Sequence, residues 1–166
     1  MTPEERREFV AGHRTAIFGY GRKEHGPSMT VVYYVLDGDD LLVSTMAGRG
    51  KAKAIACNPR VSLCVLDENW PPTYLLVYAE ARVETDLKAA AHLMMRIAGV
   101  MAGQPMPEDA LPIVEEGARR ENRVVLRLRP YATFETPPRH VGNPSDLAGL
   151  VHGYGKMIPW REETDA

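Results

Sequence analysis

The sequence predicts a mainly β domain with flanking helices, an α+β fold in which six antiparallel strands form a small barrel. Short runs rich in β-branched and aromatic residues recur along the first half of the chain, as strands require. The turns between them are short, which favours antiparallel pairing of neighbours, and Asp37-Gly38 is a hairpin signal between two of them. Because six short strands need closure or cover, we expect the helices to pack outside the sheet.

The first predicted element is a helix, since Thr2 can cap it, Pro3 suits its first position and Glu5 completes a capping box. Gly12 ends that helix. A short helix is predicted later in the chain, stopped by Asn58-Pro59, because the residue before proline avoids the helical region. The strands predicted around it are residues 15–20, 29–36, 40–46, 60–67 and 73–84, and the short helix spans residues 50–57.

The second half of the chain has a different pattern. Asp86 can cap a helix over residues 87–102 that is apolar nearly all round, which indicates burial on more than one side. A second helix is expected over residues 108–117, and the sixth strand over residues 124–128, where Pro130 interrupts a pairing that can resume. We therefore place one domain at residues 1–136 and a tail at 137–166, loosely ordered or packed on a partner subunit.

Composition excludes several classes of protein. The 166 residues carry 20 Lys+Arg against 22 Asp+Glu, a near balance that argues against a nucleic-acid or membrane-surface protein as a whole. No apolar run approaches the roughly 20 residues of a membrane span, and the amino-terminal stretch is charged, so we expect a cytoplasmic location. The five histidines show no metal-ligand spacing, and no metal is expected.

The segment RGKAKAIACNPR gathers three cations where a strand meets a short helix. Arg49, Lys51 and Lys53 stand two apart, directly after an apolar run that ends in Ser44 and Thr45. Cations are unfavourable at a helix N-terminus, whose free N–H groups and dipole prefer an anion. Hydroxyl donors and an arginine fork suit a phosphate, so the segment predicts a phosphate site; the alternative is a solvated basic patch on an exposed helix.

The run LLVSTMAGRGKAKAIACNPRVSLCVLD resembles the pyridoxamine-phosphate-oxidase-like split β-barrel superfamily of flavin and deazaflavin proteins. Within it, the chain is most similar to the F420-dependent oxidoreductases of the B type. The shared pattern is a strand, Ser-Thr, a turn, Arg-x-Lys-x-basic, then Asn-Pro-Arg and a strand. HLMMRIAG and ENRVVLRLRP resemble the helical excursion and closing strand of that superfamily, so the resemblance covers roughly residues 13–135.

The resemblance implies a six-stranded antiparallel split barrel of the FMN-binding type and a homodimer with cofactor sites between the subunits. The cofactor phosphate would lie against Arg49, Lys51 and Ser44, and the ring along the second strand. The partner subunit would close the pocket with Trp70 and Tyr74, although a turn residue and a cross-strand packing residue are alternative roles for these two. The implied cofactor-binding residues are Met29, Thr30, Val31, Tyr33, Ser44, Thr45, Arg49, Lys51, Lys53, Trp70 and Tyr74.

The function that follows from the resemblance is an F420-dependent oxidoreductase that passes a hydride to an unsaturated or heteroaromatic small molecule. Lys53 would suit the acidic glutamyl tail of F420. An FMN protein of the pyridoxamine-phosphate-oxidase or flavin-reductase kind is the alternative, and a non-catalytic carrier of F420 or flavin is another. A haem-binding split barrel is a more distant one. The sequence shows no nucleophile or acid/base constellation, which fits chemistry carried by a cofactor.

Overall fold

The computed structural model describes residues 1–69, 73–136, 143–149 and 154–161. The helices are α1 (Pro3–Gly12), α2 (Gly50–Cys57), α3 (Leu87–Ala102) and α4 (Leu111–Arg120), with short 3₁₀ turns at Glu108–Ala110 and Pro144–Gly149. The strands are β1 (Thr15–Tyr20), β2 (Ser28–Tyr33), β3 (Val35–Asp37), β4 (Asp40–Met46), β5 (Arg60–Asp67), β6 (Thr73–Glu84), β7 (Arg123–Glu135) and β8 (Lys156–Pro159). Within these residues, no helix has the length and apolarity to cross a membrane.

All the strands belong to one antiparallel sheet of order β2-β1-β5-β6-β7-β4-β3, and β8 pairs with β7. The two ends of this order, β2 and β3, are separated in sequence only by Tyr34. The sheet must therefore curl until its ends meet at that residue. No ladder joins β2 to β4 in the described part of the chain, so the barrel is split between these two strands.

The predicted count of six strands is wrong, because the described residues form eight. The run predicted as one strand over residues 29–36 breaks at Tyr34, whose buried side chain donates a hydrogen bond of 2.6 Å to the carbonyl of Val10. The second addition is β8, which lies in the tail. The pairing resumes after Pro130, as expected: β7 continues to Glu135, and the register shifts just after the proline, where Tyr131 is the extra residue opposite Tyr78 and Ala79 of β6.

The other predicted elements are confirmed closely. The bounds of β1, β4, β5, β6, α2 and α3 match the prediction, and Thr2 and Glu5 form the expected capping box. The helix predicted over residues 108–117 is instead a 3₁₀ turn followed by α4, which begins at Leu111. Proline at the second position of α4 fits this later start, because its missing N–H needs no partner there.

The barrel encloses the main hydrophobic core, and α3 covers a smaller one on its outside. Alternate residues of β4 and β7 face the barrel interior, among them Val43 and Leu126. The residues between them, such as Leu42 and Val125, lie in the second cluster beneath α3 with Leu93. The paired segments 41–43 of β4 and 124–126 of β7 are therefore covered on both faces, which explains why each is an unbroken apolar run.

Part of the tail is ordered against this chain itself. Strand β8 pairs with the end of β7, and Trp160 is buried, 5% exposed, in the main core. Helix α1 holds the strand: Arg6 donates a 2.9 Å hydrogen bond to Thr133, and Arg7 donates a 2.7 Å bond to the carbonyl of Trp160. This differs from the expected loose or partner-bound tail over these residues, because Trp160 gives an otherwise mostly polar segment one large apolar side chain to bury.

Candidate functional site

A cleft of about 380 Å³ lies at the split of the barrel, between the sheet and α3. Its lining comes from four elements that are distant in sequence: β2, β4 with the start of α2, α3, and the first residue of β7. The lining residues are Val31, Val32, Tyr33, Ser44, Thr45, Arg49, Lys51, Met94, Ile97, Ala98, Met101 and Arg123. Among the described residues, the lining therefore has three cations and no carboxylate.

Strand register explains why Ser44 and Arg123 share this cleft. Ser44 pairs with Val125 across the β4–β7 ladder, and Val125 lies beneath α3. Side chains two apart on a strand point to the same face, so Arg123 emerges on the face of Val125, towards α3. The end of the ladder, where Met46 pairs with Arg123, thus brings the start of β7 beside the turn into α2.

Lys51 is the most unusual residue of the cleft. Its side chain is buried, 8% exposed, and its Nζ donates a 2.9 Å hydrogen bond to Thr30 and lies 5.5 Å from the centroid of the Phe18 ring. Burial lowers the pKa of Lys51, and the charge of Arg49 lowers it further. None of the described carboxylates forms an ion pair with this ammonium group. A buried cation without a counter-charge is costly, and an anion in the cleft would remove that cost.

Further hydrogen-bond donors of the cleft lack partners. The hydroxyl of Ser44 is buried and has no hydrogen-bond partner in the structure. The start of α2 has no acidic residue in its first turn, and Arg49, its N-cap, makes no side-chain capping bond. The free N–H groups of a helix start carry partial positive charge. Ser44, Arg49 and Lys51 all line the cleft, so this part of it suits an anion rather than a neutral ligand.

The opposite wall of the cleft is apolar. Helix α3 contributes Met94, Ile97, Ala98 and Met101, of which Met101 is 57% exposed. Strand β2 pairs on one side with β1 and, in the described part of the sheet, with no strand on its other side. Its free edge presents backbone N–H and C=O groups to the cleft. Cations at one end, an apolar wall and an open strand edge together suit a flat apolar ligand with an anionic side chain.

The structure brings together most of the residues predicted from the sequence. Val31, Tyr33, Ser44, Thr45, Arg49 and Lys51 line the cleft, and Thr30 reaches it through its bond to Lys51. Met29 lies on the exposed face of β2, outside the lining, and Lys53 is exposed on α2 and outside it too. The hydroxyl of Tyr74 donates to Thr136, elsewhere in the barrel. Trp70 lies outside the described residues. The binding roles of all these residues remain predictions.

Sequence reasoning missed Arg123 and the wall from α3. The sequence contained a signal for this wall. Helix α3 is apolar nearly all round, and only one of its faces is needed to cover the small core, which leaves a second apolar face. Two residues of this helix, Met94 and Met101, border the cleft. The sequence offered no comparable signal for Arg123, since only the register of β7 against β4 places it beside the turn into α2.

A larger groove, about 1100 Å³, lies on the other face of α3. It is lined by α1, β3 and the loop after α3, with the cations Arg14 and Arg96. Both arginines are exposed, and Arg96 donates to the carbonyl of Leu36. Size alone does not make a site, and this groove lacks the buried cation and unpartnered hydroxyl of the smaller cleft. The described residues contain no cluster of three side chains suited to a metal ion.

Comparison with known proteins adds a family and a set of related folds. The sequence model of the pyridoxamine 5'-phosphate oxidase family matches residues 2–136. No curated protein matches the chain. A conserved hypothetical protein of Mycobacterium tuberculosis, Rv2991, is 22% identical with a TM-score of 0.68, over 87% of this chain and 94% of that one.

Two further solved structures show how varied the relatives are. An F420 reductase is 23% identical with a TM-score of 0.55, over 72% of this chain and 88% of its own. The haem storage protein HutZ of Vibrio cholerae is 17% identical with a TM-score of 0.55, over 76% of this chain and 88% of its own. At such identities these likenesses establish the fold and leave the ligand open.

Proposed function

The chain belongs to the pyridoxamine 5'-phosphate oxidase family of flavin-binding split barrels, and on this premise we propose that it is an F420-dependent oxidoreductase. Its substrate would be an unsaturated or heteroaromatic small molecule. The observation that carries the proposal is the cleft at the split of the barrel, whose lining combines the apolar face of α3 with Lys51, a buried cation with no carboxylate partner among the described residues. Such a site suits a ring system with a phosphate-bearing side chain.

The residues of the cleft fit this cofactor. Lys51, Arg49 and the unpartnered hydroxyl of Ser44 would hold the phosphate, with the start of α2 adding its N–H groups. The free edge of β2 would hydrogen-bond the ring, and Met94 and Met101 would cover it. When bound, F420 supplies hydride chemistry. The described lining residues include no carboxylate or histidine, so this chain's share would be to bind and orient the cofactor and to exclude water.

The choice of F420 rests on the sequence resemblance and is consistent with a similar fold in an F420 reductase. FMN remains the alternative, because it also combines an aromatic ring with a phosphate on a ribityl chain. A carrier of F420 or flavin is favoured by one observation: the lining residues that the structure describes include no carboxylate and no histidine. A carrier needs no group that transfers a proton. An oxidoreductase with this lining would take its proton from solvent or substrate.

We also propose a homodimer with cofactor sites at the subunit interface. Its support is the exposed apolar surface beside the cleft, where Met29 is 68% exposed and Val31 is 74% exposed. A partner subunit covering this edge of the sheet would complete the pocket. Light scattering during size-exclusion chromatography tests the proposal: the wild type should elute as a dimer, and Val31→Asp should shift it towards monomer. A monomeric wild type would contradict it.

The cytoplasmic location expected from the sequence stays a prediction.

The decisive experiment for the cofactor is fluorescence titration of cofactor-free protein with F420 and, separately, with FMN. Micromolar or tighter binding of F420 with weak FMN binding supports the proposal, and the reverse order favours the FMN alternative. If neither binds, the likeness is one of fold alone. Oxidation of reduced F420 in the presence of a panel of unsaturated acceptors then separates enzyme from carrier, because a carrier binds the cofactor without turnover.

A further inference from the structure

Arg123 is held at the cleft by backbone geometry as well as by sheet register. The preceding residue, Asn122, has a φ of 50°, and it alone among the described non-glycine residues has a positive φ. Its carbonyl accepts a 2.9 Å hydrogen bond from the N–H of Ala47, in the turn that leads into α2. Left-handed backbone is unfavourable outside glycine, although asparagine tolerates it best. This conformation ties the start of β7 to the phosphate end of the cleft.

The guanidinium group of Arg123 is fixed on one side and free on the other. Its Nε donates a 2.7 Å hydrogen bond to a carboxylate oxygen of Glu121, and its side chain is 25% exposed. Within the described chain, Glu121 is its one partner by hydrogen bond or ion pair. The two terminal nitrogens together carry four N–H donors, which is the geometry that grips a carboxylate or phosphate. Glu121 thus orients a fork that still has its anion-binding capacity.

The fork of Arg123 is separate from the other anion-binding groups of the cleft. The terminal oxygens of a phosphate would already be served by Lys51, Arg49, the hydroxyl of Ser44 and the N–H groups at the start of α2. Those donors come from a single chain segment, whereas Arg123 comes from another strand of the same cleft. Arg123 therefore adds a second set of donors to the cleft, from a separate segment of the chain.

We propose that Arg123 forms a second anion subsite, so that the cleft takes a cofactor whose side chain carries two anionic groups. This inference rests on the proposed function and deepens it. A phosphate followed by carboxylates, as in F420 with its glutamyl tail, meets this requirement, and the single phosphate of FMN does not. Arg123 takes the role that the sequence alone suggested for Lys53, which is exposed and outside the cleft lining.

Binding of two cofactors to two variants tests the subsite. Arg123→Gln should weaken F420 binding about tenfold or more and change FMN binding by less than about threefold. Arg129→Gln is the matched control, because Arg129 is exposed on the same strand and lies outside this cleft; it should change neither affinity. An equal loss for both cofactors would make Arg123 part of the single phosphate site, and no loss for either would also overturn the proposal.

Inorganic anions separate failure of the subsite from failure of the proposed function. Calorimetric titration should show that the wild type binds pyrophosphate about tenfold more tightly than orthophosphate, and that Arg123→Gln removes this preference. If that holds while neither F420 nor FMN binds, the subsite stands and the proposed function falls. If F420 binds while the preference is absent or survives in Arg123→Gln, the proposed function stands and the subsite is refuted.

Discussion

Replacing Lys51 with methionine separates two roles that this lysine can have. Its ammonium group donates to Thr30 of β2, and this bond joins the start of α2 to the sheet. It is also the buried cation on which the anion-binding proposal depends. Methionine keeps the length and apolar stem of the side chain and removes the charge. Lys51→Met therefore tests binding with little change of shape.

The expected loss of affinity follows from one charge-assisted contact. A hydrogen bond between charged groups contributes about 1.5–3 kcal/mol. Removing the ammonium group should therefore weaken cofactor binding roughly 10-fold to 150-fold. The upper part of this range is expected, because the side chain is only 8% exposed and water screens the charge little.

If Lys51 were structural, Lys51→Met would destabilise the fold; we expect no loss of stability. Burial lowers the pKa of Lys51, which means that the folded protein disfavours its charge. Replacing an uncompensated buried charge with an apolar group is neutral or stabilising. Thr30 is half-buried and can bond to water instead. We expect the free energy of unfolding of the cofactor-free protein to stay constant or rise by about 1 kcal/mol.

Urea denaturation and fluorescence titration on the same preparations measure both quantities. Lys53→Met is the control, because Lys53 lies on the same helix, is exposed and is outside the cleft lining; it should match the wild type in both. A loss of about 2 kcal/mol or more in the free energy of unfolding of Lys51→Met would show that Lys51 stabilises the fold. Affinity within about twofold of the wild type would refute the anion-binding role.

Four further outcomes are expected. Arg49→Ala combined with Lys51→Ala should weaken cofactor binding by about 3–5 kcal/mol in the same titration, and unchanged affinity would end the phosphate-site proposal. Burial lowers the pKa of Lys51 in the folded protein below its ordinary 10.5, so at pH values between the two the unfolded chain binds more protons. The stability of the cofactor-free protein should therefore rise with pH in this range, while anion binding should weaken as Lys51 loses its charge. Urea midpoints and affinities that stay constant across the range would contradict these expectations. Trp160→Ala should cost about 3–5 kcal/mol in urea denaturation, since the ring is 5% exposed in the core; a cost below about 1 kcal/mol would mean that the tail is not anchored there. Arg6→Met should cost about 2 kcal/mol by leaving Thr133, which is fully buried, without its 2.9 Å donor, and a thermal midpoint equal to that of the wild type would refute this.

Sequence signals predicted helices and strands well where the structure of a segment depends on residues within that segment. The capping box at Thr2 and the stop at Asn58-Pro59 set the observed helix ends, because the groups concerned are neighbours in sequence. The break at Tyr34 was missed, because it depends on a hydrogen bond to Val10, in another element. The ordering of β8 was missed for a similar reason, since Trp160 is buried by residues far from it in sequence.

The same distinction between local sequence and distant contacts applies to the residues of the candidate site. The sequence by itself determined the cationic segment with Arg49 and Lys51 after a Ser-Thr strand end, because cations at a helix start have an electrostatic meaning wherever the chain folds. Only the tertiary structure decided that Lys51 is buried, that Lys53 faces solvent and that Arg123 and α3 complete the cleft. Burial and convergence depend on the curl of the sheet and on its register. Those are set by contacts between segments distant in sequence, which no local pattern encodes.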